Sequence, residues 1–290
     1  MLIRIIAPLR VLRPYTRPHR FQQHARAMSS FNLNKEIFNP GLYKQIRDIW
    51  FKDTPIGATE IDMSVAKQWF MASAEEKADF DGICRHNFAR ALEAVGPDQF
   101  PNPSAEPFLR EIEQAVQNNP TDGGAEAACT ALSIVLLLDQ ITRNIYRNQE
   151  GLVKVYNHYD IICFSLMSRL LSTDTPLVRP DLHSQWRKSP IFRLWFYLPL
   201  IHNEDLNMLE KAIEIEEELE KELDGEEDFE NAKMFVQEGL KSTREHRDIL
   251  RKFGRYPHRN ISLGRESTEE EKKFLTEGGA TFGVAQTEEK

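Results

Sequence analysis

The sequence predicts an all-α fold built from antiparallel helix pairs, without a significant sheet. Along most of its 290 residues, apolar side chains recur at spacings of three and four, which is the period of an amphipathic helix. Clusters of glycine, proline, asparagine and aspartate separate these segments, and no clean apolar–polar alternation lasts six residues. Helices joined by short turns form bundles or tetratricopeptide-repeat-like superhelices, so we expect one of these two architectures.

The amino-terminal half is predicted to hold six helices. The apolar spacing places them at 42–51, 65–72, 75–95, 108–117, 132–147 and 152–171. Turn clusters separate the first five, and residues 172–180 close the sixth. A seventh helix is predicted to start at Ser189 and Pro190, because a capping residue stands there before a proline at the first helical position. Pro199 is expected to kink or split this helix.

The carboxyl-terminal part is dominated by an acidic segment at 210–230. Between residues 204 and 230, 14 acids stand against two lysines. Such a run of charge is typical of a solvated helix face or insertion, and it is also a candidate surface for a protein partner. A further helix is predicted at 228–253, ended by Gly254, and overlapping capping-box patterns at 267–270 and 268–271 predict a last short one.

The first 30 residues form a basic leader that is predicted to be disordered. They contain six arginines and no acid, and they end in serines, which is the composition of a mitochondrial transit peptide. We therefore expect a single helical domain at 31–290 behind this leader, with the protein in the mitochondrial matrix. Met28 offers an internal start that would leave a cytosolic form.

Composition argues against several function classes. The net charge of −8 disfavours a nucleic-acid binder with a broad basic face. The three cysteines are far apart and form no CxxC pair, so neither a disulfide framework nor a zinc site is indicated, and no metal or cofactor is expected. No apolar run reaches the roughly 20 residues needed to span a bilayer. The chain also lacks a P-loop and the GxGxxG, GxSxG and HExxH motifs.

The predicted helix at 132–147 is the most informative segment, because it is apolar at first and strongly polar later. Asp139, Arg143 and Arg147 recur every four residues and therefore share one side of the helix, with Gln140 and Asn144 beside them. Placing such side chains on a core helix is costly unless each polar group finds a partner. This stripe therefore predicts a site.

The charges on this stripe do not balance within the helix. Asp139 and Arg143 are four residues apart and can pair. Arg147 is left without an anion from the same helix, and guanidinium groups match the geometry of carboxylates and phosphates. The two arginines therefore need a carboxylate from elsewhere in the chain or an anionic ligand. A structural network that ties this helix to its neighbours is the alternative interpretation.

Two other segments are candidates to complete the site. His202 and Glu204 follow the apolar run of the seventh helix, but two residues apart they do not share a helix face, and HxE is a poor metal motif. A lone histidine at that position also fits a satisfied core residue. Arg255, His258 and Arg259 stand in a proline-bearing loop, which either clamps acids of the same chain or holds an anion.

The motifs LLLDQITRNIYR, FYLPLIHNED, HRDILRKFGRYPHRN and LGRESTEEEKKFL occur in this order. They resemble domain-of-unknown-function family 924, which is found in bacteria and fungi, and the resemblance covers residues 42–282. It implies an all-helical, tetratricopeptide-repeat-like fold and no established reaction. The chain departs from the family pattern at Ile141 and Thr142, which replace an aromatic residue and a proline. The recurrent polar positions of the family correspond here to Asp139, Gln140, Arg143, Asn144, Arg147, His202, Glu204, His246, Arg255, His258, Arg259 and Asn260.

Three functions are consistent with these patterns. In the first, the groove binds an anionic small molecule or a peptide carboxylate, through Gln140, Arg143, Asn144, Arg147, Arg255, Arg259 and Asn260. In the second, the protein is a hydrolase in which Asp139 or Glu204 is the general base and His202 or His258 carries the proton. In the third, these residues form a buried structural network and a partner binds elsewhere, with 210–230 as the candidate surface.

Overall fold

The computed structural model describes residues 31–60, 62–172, 178–225, 229–284 and 286, and within these ranges the protein is helical and contains no strand. This confirms the all-α prediction. The predictions for the leader concern residues 1–30, which lie outside the described residues.

The helices are α1 Pro40–Phe51, α2 Met63–Ala66 with a π-helical extension Lys67–Met71, α3 Ala74–Ala94, α4 Glu106–Asn118, α5 Ala125–Ile145, α6 at 149–170, α7 Pro190–Ile201, α8 Leu206–Leu223, α9 Glu230–Phe253 and α10 Glu269–Thr276.

Most of the predicted helix ends are confirmed by their capping geometry. Gly254 ends α9 in the left-handed region, at φ 69°, where a side chain would be strained. Of the two overlapping capping boxes, the one formed by Thr268 and Glu271 starts α10. The start predicted at Ser189 and Pro190 is also confirmed, since Ser189 is the N-cap residue and Pro190 the first residue of α7, although the Ser189 hydroxyl donates to the carbonyl of Ala58 and accepts nothing from the first turn.

Helix α5 is longer at its start and shorter at its end than predicted. It runs over Ala125–Ile145 and stops because Tyr146 leaves the helical region, with φ −112° and ψ 70°. Arg147 therefore lies beyond the helix. By length and composition α5 is apolar enough to cross a membrane, but 83% of its apolar window is buried inside the protein, as in the core helices of globular proteins. The absence of a membrane span stays a prediction.

Two helices of the core contain π-helical turns. In α5 the turn is Leu136–Ile141, and in α6 it is Val155–Tyr159, next to Asp160. A π turn fits one more residue into a turn of helix and frequently occurs at functional sites. The two turns contact each other, so the polar side chains that follow them on both helices are brought together.

The acidic segment is a helix that packs against α9. Hydrogen bonds join Glu220 to Gln237, Glu217 to Arg244 and Glu210 to Arg251, so α8 and α9 run antiparallel. Most buried apolar residues of α8 pack with those of α9 and with Tyr256 in a cluster separate from the main core, whereas Ala212 and Ile215 pack in the main core. The described part of the predicted acidic segment is thus a helix with one solvated face. Residues 226–228 lie outside the described residues.

One acidic residue of this segment faces inward. The side chain of Glu216 is buried, with the residue 3% exposed, and its Oε2 atom has no hydrogen-bond partner among the described residues. Burial raises the pKa of Glu216 from 4.5 to about 7, although Thr243 and the charge of Arg244 oppose the shift. The carboxyl group is therefore partly protonated near neutral pH.

Candidate functional site

A cavity of about 160 Å³ lies where α5, α6, α9, the end of α7 and the loop after α9 meet. Its wall is unusually rich in nitrogen-bearing side chains, and we call it the histidine–arginine pocket. A short segment near the carboxyl end of the chain closes one side. The lining residues are Arg143, Arg147, Leu152, Tyr156, His202, His246, His258, Arg259, Phe282, Gly283 and Val284.

The buried carboxylate of Asp139 holds the imidazole of His202. Asp139 stands on the π turn of α5 and is 1% exposed at its side chain, while His202, the residue after α7, is 19% exposed. Nδ1 of His202 lies 2.9 Å from Oδ2 of Asp139. Burial alone would raise the pKa of Asp139, but the charge of Arg143 and the hydrogen bonds from His202 and Gln140 outweigh it and the pKa is lowered. An ionised carboxylate only accepts, so Nδ1 carries the proton.

The same arrangement leaves the second nitrogen of His202 available. Burial and the charge of Arg143 lower the pKa of His202, against the opposing effect of Asp139, so the ring is neutral at pH 7. With the proton on Nδ1, Nε2 keeps its lone pair. Nε2 forms no hydrogen bond with the described residues, and it is not among their buried unpaired atoms, so it keeps access to solvent.

A second buried carboxylate, Asp160, anchors the arginines from the other side. It accepts two parallel hydrogen bonds from Arg143, at 2.8 and 2.9 Å, and Arg143 also donates to the backbone carbonyl of Asp139 at 2.7 Å. Nη1 of Arg259 lies 4.0 Å from Asp160, too far for a hydrogen bond. Arg143 is thus paired closely with acceptors of the chain, whereas the acid nearest to Arg259 among the described residues is the distant Asp160.

Arg259 is held by aromatic rings instead. Its guanidinium carbon lies 4.6 Å from the ring centre of Tyr156 and 4.7 Å from that of Tyr256. Its side chain is 8% exposed, and its Nε atom is buried without a hydrogen-bond partner among the described residues. A buried guanidinium is normally hydrogen-bonded, so this group is poised for an acceptor that the described chain does not supply.

Two further histidines complete the pocket and are neutral at pH 7. Burial, with the charge of Arg259 contributing in both, lowers the pKa of His246 to about 4 and that of His258 to about 3. Nδ1 of His246 lies 2.8 Å from the carbonyl of Ser242. Phe282 stacks on His246 at 3.8 Å between ring centres and meets His258 edge-on at 5.3 Å. The aromatic wall therefore covers both imidazoles on one side.

Comparison with known proteins agrees with this architecture and assigns no activity. A family model described as a bacterial protein of unknown function, DUF924, matches residues 46–279. The chain belongs to this family. A similar solved structure is that of the protein of unknown function ATU0120 from Agrobacterium tumefaciens, with 27% identity and a TM-score of 0.51 over 82% of this chain and 98% of that one. No curated protein matches the chain.

In this DUF924 chain, five of the predicted site residues meet at the pocket and Asp139 lies directly behind it. The five that line the pocket are Arg143, Arg147, His202, His258 and Arg259. Arg147 does receive an anion from elsewhere, since it pairs with Asp81 of α3 through two nitrogens. The expectation that Arg147 continues the helical stripe is wrong, because α5 ends before it.

The remaining predicted residues are used within the chain and do not line the pocket. Gln140 donates to Asp139, and Asn144 bonds the backbone of Gln140 and accepts from Arg147. Glu204 accepts from the backbone amide of Tyr256 and from Arg265, and Arg255 and Asn260 both bond Glu271. These residues are therefore hydrogen-bonded to other groups of the chain, as expected if they belong to a structural network.

Sequence reasoning missed Asp160, Tyr156 and Phe282. Asp160 could have been found, because it stands next to the apolar run IICF, and a charged residue beside an apolar run is the pattern that identified Asp139. Tyr156 precedes Asp160 by four residues in the DUF924 chain. No comparable signal marks Phe282. Among the described residues, no group of three histidine, cysteine, aspartate or glutamate side chains is arranged to hold a metal ion.

Proposed function

We propose that this protein binds a small anion, a phosphate or carboxylate group, in the histidine–arginine pocket. The observation that carries the proposal is the state of Arg259: its guanidinium lies 4.0 Å from Asp160, and its buried Nε has no hydrogen-bond partner among the described residues. Leaving a buried donor unsatisfied costs about 1–3 kcal/mol, and more for a charged group. An anionic oxygen in the pocket would give the guanidinium group the close charged partner that Asp160, at 4.0 Å, does not provide.

The electrostatics of the wall support an anion over a neutral ligand. The carboxylates that pair with side chains of the wall, Asp81, Asp139 and Asp160, do not themselves line the pocket. The groups that do line it include three guanidinium and three imidazole side chains. The imidazoles of His202, His246 and His258 are neutral at pH 7. A bound dianion would favour their protonated forms, so the protein would take up protons from solution when the anion binds.

The size of the pocket limits what fits inside it. Pockets for drug-sized ligands measure roughly 300–1,000 Å³, whereas this one measures about 160 Å³. It accommodates a single phosphate or a short carboxylate, or the charged end of a larger molecule such as a peptide carboxylate. We therefore expect recognition of the anionic group itself, with the rest of a larger ligand outside.

The experiment is calorimetric titration of the full chain with inorganic phosphate and with acetate. Replacing Arg259→Gln removes the charge while Asp160 keeps its paired hydrogen bonds from Arg143. A charge-assisted hydrogen bond contributes about 1.5–3 kcal/mol, so the affinity for phosphate should fall by roughly ten- to hundredfold. Arg251→Gln is the matched control, because Arg251 forms an exposed ion pair with Glu210 away from the pocket.

The result also separates the two anions. A larger loss for phosphate than for acetate identifies a phosphate site, and the reverse identifies a carboxylate site. An unchanged phosphate and acetate affinity in Arg259→Gln, or no binding of either ion at millimolar concentration, would overturn the proposal and leave the cluster as a structural network.

A further inference from the structure

The geometry points to a catalytic use of this pocket: we propose that His202 is a nucleophile that takes a phosphoryl group from small phosphate monoesters, which are then hydrolysed. The inference rests on the proposed function, since the phosphoryl group would occupy the anion site. It is carried by the juxtaposition of Nε2 of His202, which keeps access to solvent, with the guanidinium groups of Arg143 and Arg259 in a cavity of about 160 Å³.

The imidazole is oriented as a nucleophile requires. Nδ1 is fixed by the 2.9 Å contact with Asp139, which sets both the plane of the ring and its tautomer. Nε2 is thereby directed away from the carboxylate with a free lone pair. A nucleophile held by a group that is itself fixed is the arrangement expected in covalent catalysis, and Asp139 is fixed by Gln140 and by Arg143.

The wall of the pocket supplies what phosphoryl transfer requires. In that reaction negative charge spreads over three equatorial oxygens, and catalysis consists mostly of positioning and electrostatic stabilisation. A carboxylate presents only two oxygens, whereas a phosphoryl group can use donors from several sides at once. Arg143 and Arg259 approach the cavity from α5 and from the loop after α9, and His246 and His258 can donate there once a bound anion favours their protonated forms, which matches the wider distribution of oxygens.

The reaction is balanced without a further reactant except water. Nε2 attacks the phosphorus of a monoester monoanion, the bond to the alcohol oxygen breaks with its electron pair, and the proton of the monoanion moves to that oxygen. The product is a phosphorylated imidazolium whose Nδ1 proton remains shared with Asp139. Water then attacks the phosphorus, the P–N bond breaks with its electrons returning to Nε2, and dihydrogen phosphate leaves.

Asp139 acts as a positioning residue in this scheme. It is fully buried behind His202 and does not line the pocket, so it cannot reach a substrate. Its charge favours the imidazolium that forms on phosphorylation. Glu204, the other acid considered from the sequence, is committed to Arg265 and the amide of Tyr256 and also lies outside the pocket wall.

The test uses the full chain with p-nitrophenyl phosphate and with acetyl phosphate, which is a smaller phosphoryl donor. We expect release of inorganic phosphate from both, and an alkaline quench followed by peptide mass spectrometry should find one phosphoryl group on His202. In His202→Asn the amide nitrogen replaces Nδ1 toward Asp139, but the nucleophile is gone. Turnover should fall on the order of a thousandfold while phosphate affinity stays within about threefold.

Two further variants separate a catalytic from a structural role. Asp139→Asn should slow turnover by about a hundredfold and move the acid limb of the pH–rate profile to lower pH, because the carboxylate raises the pKa of the imidazole. A merely structural aspartate would leave that limb in place. His86→Asn, an exposed histidine of α3 without a role in the pocket, is the control and should leave turnover unchanged.

Each outcome decides between the claims. Calorimetric binding of phosphate without turnover or labelling by either donor overturns the nucleophile and leaves the anion site intact. Turnover that persists in His202→Asn, or a phosphoryl group found on another residue, overturns the assignment to His202. Cleavage of p-nitrophenyl acetate in place of the phosphate esters overturns the substrate class. Absence of both phosphate binding and turnover overturns the proposed function as well.

Discussion

Replacing Glu216→Gln should make the protein more resistant to alkaline pH. A pKa difference of one unit corresponds to about 1.4 kcal/mol between the two protonation states. The pKa of Glu216 is 4.5 in an ordinary environment and about 7 in the folded protein. The folded state therefore binds the proton more tightly than the unfolded state, and the stability that this provides is present below pH 4.5 and is lost as the pH rises through 7.

The size of the effect follows from these two pKa values. Between pH 5 and pH 8.5 the group should cost the wild type about 2.5 kcal/mol of unfolding free energy. Glutamine does not titrate, so the stability difference between Glu216→Gln and the wild type should shift by that amount in favour of the variant. Any cost of burying the amide is the same at both pH values and cancels in this difference.

The measurement is urea unfolding followed by circular dichroism at pH 5 and at pH 8.5 for both proteins. Glu218→Gln is the matched control, because Glu218 is an exposed residue of the same helix. The control should show less than about 0.5 kcal/mol of pH-dependent difference. If the difference between Glu216→Gln and the wild type is equally small, Glu216 is not ionised in a desolvated environment and the reasoning from its burial is refuted.

Two further variants probe the wall of the pocket. In the wild type, the stability contributed by neutral His246 is present above pH 6.5 and is lost as the pH falls toward 4. The loss of unfolding free energy between pH 7 and pH 5 should be about 2 kcal/mol. His246→Asn should remove this acid sensitivity in urea unfolding, and an unchanged pH dependence would contradict the lowered pKa. Phe282→Ala should cost about 1 kcal/mol of unfolding free energy, the value of a stacked aromatic pair, and should speed modification of His246 by diethyl pyrocarbonate. Equal modification rates would show that Phe282 does not cover the ring.

Helix positions were predictable from the sequence because each helix has a local signature. The apolar spacing located the helices to within a few residues in most cases, and the glycine and capping box at the ends of α9 and α10 have the predicted geometry. Ser189 shows the limit of local reasoning: its hydroxyl has a tertiary acceptor, the carbonyl of Ala58, that no pattern around residue 189 reveals.

The candidate site was predictable in part, for a similar reason. The cost of a charged residue on an apolar helix identified Asp139 and Arg143. Their partners Asp160 and His202 lie on other helices, so only the fold brings them together. The unpaired positive charge predicted from the central helix alone is reduced in the structure. Asp160 of α6 pairs with Arg143, and Asp81 of α3 pairs with Arg147. The arginine that keeps unmet hydrogen-bonding capacity, Arg259, has no sequence pattern that distinguishes it from Arg255.

The π-helical turn of α5 has a consequence for comparing sequences within this family. The turn Leu136–Ile141 holds one residue more than an ordinary α-helical turn, so a relative that lacks one residue there would wind regularly and keep Arg143 on the same side of the helix. A gap of a single position in this stretch would leave the hydrophobic alignment on its amino-terminal side intact. It would also leave the residues that follow in phase with Asp160, because the turn absorbs the extra residue. A one-residue gap between relatives therefore belongs inside this turn, where the apolar half and the pocket residues both stay aligned.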